Sequence, residues 1–390
     1  MDGRRIAVVH DWLDTWRGGE NVLAEIVAEY PQADLFALVD FLPPAYRPRL
    51  LGKRARTSFV QRLPGAKRHF RRYLPLFPAA IESLDLAGYD LVISNSHAFA
   101  KGARVAPPQL HLCYCNTPMR YAWDLREQYL SVTGLGSGLR GILVRRMLER
   151  LREWDRRTAG RVDRFAANSR YIAERIRRTY GRDATVIHPP VDTAFFTPAD
   201  RPFPPAEREY YVTASRWVPY KRVDLIVAAF AQLRRPLVVV GEGPEDTNVR
   251  RHANSSITFA GEVRRERLRD LLRGARAFVF AAEEDFGILP VEAQACGTPV
   301  IAYGRGGALE TIATTERRTG HLFDLQSAEA IARAVESFER SIDAFDAAAC
   351  RAQAERFGVA RFRAELRRFV SSALQEPPQK VAAQACNDAS

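Results

Sequence analysis

At 390 residues the chain is too long for one ordinary hydrophobic core and fits two domains of similar size. A composition of 46% hydrophobic and 27% charged residues excludes a disordered or fibrous chain, and no apolar run approaches the ~20 residues of a bilayer span. The formal net charge of +12 points to anionic partners, while five cysteines, odd in number and scattered, argue against a disulfide framework.

In chain order, short apolar runs alternate with helical patterns, as in parallel sheets covered on both faces. The apolar run after Met1-Asp2-Gly3-Arg4-Arg5 is too short for a signal peptide, so Arg5–His10 is read as a first buried strand and the protein as cytoplasmic. Further strands are predicted at Ala33–Leu38, Leu91–Ser94, Leu110–Cys115 and Arg164–Asn168. In the second half they are predicted at Tyr210–Ala214, Leu237–Val240, Ile257–Ala260, Ala277–Ala281, Pro299–Ala302 and Gly320–Phe323. Cys113 and Cys115 share one strand face and read as a buried reduced pair, because no His/Cys set has metal-ligand spacing.

Prolines crowd the stretch after His188 and forbid regular helix there. The expected organisation is a Rossmann-like domain over 1–190, a linker over 191–206 and a second Rossmann-like domain over 207–356. A closing helix over 357–376 is expected to pack back on the first domain, and a tail over 377–390 to fray. The fold class is α/β, with the two domains facing across a cleft. That arrangement brings the carboxyl ends of both sheets, where such folds bind ligands, to one crevice.

The strongest chemical signal is Glu284-Asp285-Phe286-Gly287-Ile288-Leu289-Pro290-Val291-Glu292, with Gly297-Thr298-Pro299-Val300 behind it. A strand runs into acidic residues, Phe286-Gly287-Ile288 turns the chain, and a helix begins near Leu289 or Pro290, where a proline's missing N–H costs nothing. Exposed amides at that helix start make an anion or hydroxyl site. Glu284 and Glu292 can face one ligand and accept hydrogen bonds from ribose or hexose hydroxyls. A helix that carries Glu early to suit its dipole accounts for only one of them.

Other motifs accompany this block: Thr213-Ala214-Ser215-Arg216-Trp217-Val218-Pro219-Tyr220-Lys221-Arg222, Val239-Val240-Gly241-Glu242-Gly243-Pro244-Glu245 and Phe259-Ala260-Gly261-Glu262-Val263. The first half adds Arg17-Gly18-Gly19-Glu20, Ser96-His97-Ala98 and the run from Tyr114-Cys115-Asn116-Thr117-Pro118-Met119-Arg120 to Tyr121-Ala122-Trp123-Asp124. Together, over nearly the whole chain, they resemble the retaining glycosyltransferases of the glycogen-synthase and sucrose-synthase type, and among these the bacterial lipopolysaccharide and exopolysaccharide mannosyltransferases.

The resemblance implies a metal-independent hexosyltransferase that uses a GDP- or UDP-linked sugar, with GDP-mannose the first guess, and a lipid-linked or polysaccharide-precursor acceptor. Arg216 and Lys221 would neutralise the diphosphate as its charge grows on bond breaking. Gly18 and Gly19 would let the backbone approach it. Gly241, Gly243 and Val263 fall in base-binding loops. Phe286, Gly287 and Ile288 form the turn at the donor, Glu292 takes the ribose hydroxyls and Glu284 the sugar. No cofactor is implied, and no metal is expected because the chain has no Asp-x-Asp pair.

One position departs from the pattern: Asn116 stands where many relatives carry a histidine beside the donor sugar. Asn cannot take a proton, which weakens any base at this position and leaves His97 as the remaining candidate catalytic group. Asp11 and Asp14 are expected to shape the glycine loop.

Cations crowd Arg47 to Pro78 among Phe59, Leu63, Phe70, Tyr73, Leu74, Leu76 and Phe77, and a second basic stretch runs from Arg140 to Arg157. This fits peripheral contact with anionic lipid on the cytoplasmic face of an inner membrane; no nucleic-acid-binding signature is present. Rival readings are an inactive sugar-nucleotide-binding subunit of a polysaccharide assembly complex and a same-fold nucleotide-sugar epimerase or phosphorylase.

Overall fold

The structure is a computed structural model that describes residues 3–120, 122–123, 138–201 and 203–375, with the backbone alone for 138–140. Tyr121 and Asp124, the Arg140 side chain and the tail over 377–390 lie outside the described residues. The chain divides into two compact units at His188/Pro189 and again at Phe362/Arg363.

In the first unit a parallel sheet comprises β1 (Ile6–His10), β2 (Asp34–Ala37), β3 (Arg56–Thr57), β4 (Leu91–Ser96), β5 (Leu110–Cys115), β6 (Arg164–Ala167) and β7 (Ala184–Val186), in the order β3-β2-β1-β4-β5-β6-β7. In the second unit β8 (Tyr210–Ala214), β9 (Leu237–Val240), β10 (Ile257–Gly261), β11 (Ala275–Phe280), β12 (Val300–Tyr303) and β13 (Gly320–Phe323) order as β10-β9-β8-β11-β12-β13. Every pairing is parallel. The expected α/β class with two doubly wound sheets is observed. The sequence reading missed only the short edge strands β3 and β7, which lack an apolar run.

Both sheets are covered on both faces, because alternate residues of each strand enter different cores. In β11, Ala277 and Val279 enter one core of the second unit, while Phe278 and Phe280 enter the other. In β5, Cys113 and Cys115 point together into a small core with Phe165, Ile172 and Ile176, and both are free thiols. Burial raises the Cys115 thiol well above its ordinary range, so it stays protonated.

The proline-rich stretch packs within the second unit: Phe196 is buried, and Arg351 donates to the Thr193 and Phe196 carbonyls at 2.8 Å. From Arg363 onward the helix Val359–Gln375 lies in the first unit, where Arg363 meets Glu25 (2.6 Å) and Arg367 meets Glu29 (3.2 Å).

The two strand orders are equivalent, and each reverses direction once, between β1 and β4 and between β8 and β11. The crevice outside the carboxyl ends at such a switch point is where doubly wound sheets hold ligands. The Gly18–Gly19 loop and His97 follow β1 and β4, and Arg216 and Glu284 follow β8 and β11.

Candidate functional site

At the first switch point β1 ends in His10, and Asp11 follows it. Asp11 is fully buried; it accepts the backbone N–H groups of His97 (2.6 Å), Ala98 (3.2 Å), Phe99 and Ala100 (2.8 Å), and faces His97 Nδ1 at 2.9 Å. Burial alone would raise its pKa, but the charge and hydrogen bonds of His97 outweigh this and hold it well below the usual carboxylate range. Asp14 accepts from Arg71 at 2.7 Å. The expectation that these two aspartates shape the glycine loop is therefore corrected: Asp11 ties down the turn after β4, and Asp14 ties down a cation from a later segment. Sequence spacing could not separate these uses, since both partners lie far along the chain.

The glycine loop opens the helix Gly18–Glu29, whose first turn is closed by Glu20 accepting the Arg17 N–H at 2.8 Å. Glu20 is itself buried and lies 3.5 Å from His10 Nε2. A Cβ on Gly19 would meet nothing within 4 Å, so no protein contact accounts for this glycine.

Asn95 is the residue that sequence reasoning missed. It sits at the end of β4, fully buried, and donates through Nδ2 to the Gly19 carbonyl at 2.8 Å. Its Oδ1 accepts from Asn116 Nδ2 at 2.6 Å, and Asn116 Nδ2 also lies 3.4 Å from the Ser96 carbonyl. A carbonyl only accepts, so these contacts fix both amides. Asn116 is thereby joined through Asn95 to the glycine loop, and its donor is used within the protein.

At the second switch point Arg216 is exposed and makes no ion pair among the described residues. Lys221, five residues on, is largely buried and forms an ion pair with Glu284. No hydrogen bond or ion pair joins Arg216 to Lys221, Glu284 or Glu292 among the described residues. Trp217, fully buried beneath this loop, donates its backbone N–H to the Glu242 carbonyl at 2.9 Å. Gly241 has φ +113°, and a Cβ there would collide with the Ser215 carbonyl oxygen; Gly243 is packed equally tightly against the Trp217 backbone. The glycines of this loop are thus required by loop-on-loop packing, whatever they do for a ligand.

Phe286 is buried with its ring 5.4 Å from that of Phe357, and Gly287 (φ +82°) lets the chain turn into the helix Ile288–Ala295. A second glycine pair, Gly306-Gly307, was overlooked in the sequence. Gly307 N–H donates to the Glu284 carbonyl at 2.8 Å, and a Cβ on Gly307 would collide with the Phe286 backbone. It is this loop after β12 that holds the Glu284–Phe286 turn in place. Val263 and Ile288 are half-buried against the same core.

Glu292 lies one turn into that helix, half-buried, with no hydrogen-bond partner among the described residues. Burial pushes its pKa up to about 7; Arg265 opposes the shift and Asp192 adds to it. Arg265 is itself held by Asp192 at 2.9 Å. The Glu292 carboxyl is thus left without a hydrogen bond by the fold, with Arg265 its only opposing charge among the causes of the shift. Among the described residues no group of His, Cys, Asp and Glu is placed to hold a metal ion.

Residues 199–356 match the family described as "Glycosyl transferases group 1", and residues 16–195 match "Glycosyltransferase Family 4". A similar curated protein is the D-inositol 3-phosphate glycosyltransferase of Mycobacteroides abscessus, 30% identical over 45% of this chain and 44% of its own length. Another is the GDP-mannose-dependent monoacylated alpha-(1-6)-phosphatidylinositol monomannoside mannosyltransferase of Corynebacterium glutamicum, 32% identical over 43% of this chain and 51% of its own. The chain thus spans about half the length of the curated relatives it matches. Among solved structures, sucrose-phosphate synthase from Thermosynechococcus elongatus superposes with TM-score 0.72 at 19% identity, over 95% of this chain and all of that one. Anabaena HepE in complex with UDP and glucose superposes with TM-score 0.70 at 18% identity, over 94% of this chain and 99% of its own. The two glycosyltransferase family matches lie one in each unit, and the fold of two parallel-sheet α/β domains is the one these solved glycosyltransferase structures share.

Proposed function

We propose that the protein transfers a hexose from a nucleoside diphosphate to a lipid-linked or polysaccharide-precursor acceptor, with retention of anomeric configuration and without a metal. The observation that carries this reading is the second switch point. There, among the described residues, Arg216 is exposed and without an ion pair, Lys221 pairs with Glu284, and the Glu292 carboxyl has no hydrogen-bond partner, all on the loops and helix that follow β8 and β11. A diphosphate entering there would meet Arg216 directly and compete with Glu284 for Lys221. That exchange frees Glu284 for sugar hydroxyls, while Glu292 accepts from the ribose. Gly19, beside open space, leaves the backbone of its own loop free for close approach by a ligand.

Retention is read as front-face attack. The acceptor oxygen bonds to the anomeric carbon on the face from which the phosphate leaves, and the departing phosphate oxygen takes the acceptor's proton. The alternative, double displacement, needs a carboxylate nucleophile. In support of front-face attack, the carboxylates around the first switch point are already engaged: Asp11 by five N–H groups, Glu20 by Arg17 and Asp14 by Arg71. GDP-mannose is the first donor to test because relatives use it by name; UDP-glucose is the second, from the solved neighbours.

Contact with an anionic membrane is part of the same reading. Between Asp40 and Glu82 the sequence has no carboxylate, and Lys53, Arg54, Arg62, Lys67, Arg68 and Arg72 make no ion pair among the described residues. Leu51, Phe59 and Leu76 are exposed beside them. No helix among the described residues is long and apolar enough to cross a membrane.

The test is transfer from labelled GDP-mannose and UDP-glucose to a membrane extract, with and without EDTA, alongside sedimentation with phosphatidylglycerol vesicles. The expected result is an α-linked product, unchanged by EDTA, and vesicle binding lost at high salt. Tight donor binding without transfer to any extract would favour the inactive-subunit reading, which Asn116 supports.

A further inference from the structure

Ionisable groups buried in the first unit are mostly closed off. Lys101, 1% exposed, gives its Nζ to Asp155 Oδ1 (2.6 Å), the Asp155 carbonyl (3.0 Å) and Thr158 Oγ1 (3.3 Å). His111 is fully buried with Nε2 3.0 Å from Ser94 Oγ, and burial keeps it neutral at ordinary pH. His97 is different. Its Nδ1 lies 2.9 Å from an Asp11 carboxylate that can only accept, so Nδ1 carries a proton. The ring stands perpendicular to that of Trp12 with centroids 4.6 Å apart, and the side chain remains 30% exposed. The second ring nitrogen, Nε2, has no partner among the described residues.

The charged form of this ring is favoured. Burial alone would lower the His97 pKa, but the Asp11 carboxylate and, more weakly, Glu20 raise it overall against the opposing charge of Arg71. These are the charged groups facing the ring: Asp11 after β1, Glu20 on the Gly18–Glu29 helix and Arg71 from the later segment, with the His10 ring 6.1 Å away. In its charged form His97 carries an Nε2–H that no described residue accepts.

Asn116 is its neighbour. Ser96 pairs with Cys115 in register, so residues 97 and 116 leave adjacent strands side by side. The Asn116 donor is used by Asn95 and Ser96, which leaves only its Oδ1, an acceptor. At this strand end one side chain donates outward and the other accepts.

We propose that His97, not residue 116, is the first-unit side chain that donates a hydrogen bond to the transferred sugar, with Asp11 as its positioning residue and Asn116 Oδ1 accepting from a neighbouring hydroxyl. It rests on the transferase reading above and moves the imidazole role one strand over, onto a ring paired with a buried carboxylate.

The kinetic test compares His97→Ala and His97→Gln at saturating acceptor. His97→Ala lowers kcat/KM by about tenfold or more, and His97→Gln restores most of it, because its amide N–H reaches the place of ring Nε2. Wild type loses kcat/KM as pH rises through the raised imidazolium pKa, and this alkaline limb vanishes in His97→Gln. A wild-type rate in His97→Ala, or an alkaline limb that persists in His97→Gln, overturns the assignment. Where His97→Ala does not fold, the His97 ring resonance of the wild type, identified by its absence in His97→Gln, serves instead. It shifts with GDP-mannose or UDP-glucose beyond the shift given by GDP or UDP alone; equal shifts overturn the assignment. Transfer by the wild type tests the transferase reading separately, since its absence with every donor sinks that reading while the ring resonance still reports on His97.

Discussion

At the carboxyl end of the first sheet the Asp11 carboxylate accepts four backbone N–H groups and one imidazole, and Asn95 bridges two loops. At the corresponding end of the second sheet, among the described residues, the Glu292 carboxyl accepts no hydrogen bond and Arg216 makes no ion pair. The strand orders are equivalent, so the difference is not one of topology. Polar groups that the protein satisfies internally hold loops in place and add to stability; polar groups left unsatisfied cost stability and are available to a ligand. Substitutions at the two edges should therefore have opposite signatures.

The largest effect is expected at Asp11. Asp11→Ala strands four buried N–H groups and removes the His97 counter-charge, and should cost about 3–5 kcal/mol of unfolding free energy. Denaturant unfolding followed by near-UV circular dichroism measures this, and a loss below about 1 kcal/mol would show that the turn after β4 is held by something else.

Arg216→Ala should do the reverse. The side chain is exposed and unpaired, so the melting temperature should stay within about 2 °C, while turnover falls by about 10²–10³-fold, the scale of losing one charge-stabilising group. A strongly destabilised Arg216→Ala would place this residue with the internally satisfied groups and remove the contrast.

Stability against pH sharpens the contrast, since the signs differ. Glu292 has its folded pKa raised to about 7 from 4.5. Keeping its proton on folding costs more as pH rises from 4.5 towards 7, so the second unit loses stability over that window. His111 has its folded pKa lowered to about 3 from 6.5. The unfolded chain takes up that proton first, so the first unit loses stability as pH falls from 6.5 towards 3, by ~2 kcal/mol at pH 5. Glu292→Gln should thus raise the melting temperature at pH 8 by a few degrees, at ~2–4 °C per kcal/mol, and leave it unchanged at pH 4. It should also weaken stabilisation by GDP and UDP. His111→Gln should flatten only the acid limb. Calorimetric scans at several pH values resolve both, and a Glu292→Gln variant less stable at pH 8 would mean that the carboxyl has a partner.

How much of this could be read from the sequence differs between the edges. The second edge was largely legible, because Glu284, Phe286-Gly287-Ile288 and Glu292 lie within one strand-turn-helix and local spacing carries them. Gly306-Gly307 escaped notice because its partner is a backbone more than twenty residues earlier. At the first edge the glycine loop and Asn116 were visible as motifs. Asn95 was not: it sits between two serines at the polar end of β4, and its value comes from bridging Gly19 and Asn116, both remote in sequence. Asp11 was seen but misassigned for the same reason. The paired parallel strands were legible from their apolar runs, whereas β3 and β7, short and half-exposed, carry no such signal.

The smallest effect is expected at Asn116, whose amide bonds Asn95 and the Ser96 carbonyl. Asn116→His puts back a ring whose Nδ1–H can donate to Asn95 Oδ1 as the amide does, so the glycine loop should stay in place. The new Nε2 would lie beside His97, and two imidazoles side by side do not both charge easily. The expected outcome is a change of less than about tenfold in rate, with a changed preference between GDP-mannose and UDP-glucose and no change in product stereochemistry. Asn116→Asp is nearly isosteric yet should be worse, because it aims a carboxylate at Asn95 Oδ1. Asn95 could answer only by turning its amide and releasing the Gly19 carbonyl, which strands a buried acceptor at about 1–3 kcal/mol. The ordering wild type, then Asn116→His, then Asn116→Asp in turnover, with an α-linked product throughout by NMR, is the signature of a residue that works by holding a loop. Equal activity in all three would mean that the Asn95 bridge does not matter to transfer, and a β-linked product from an α-donor would rule out retention altogether.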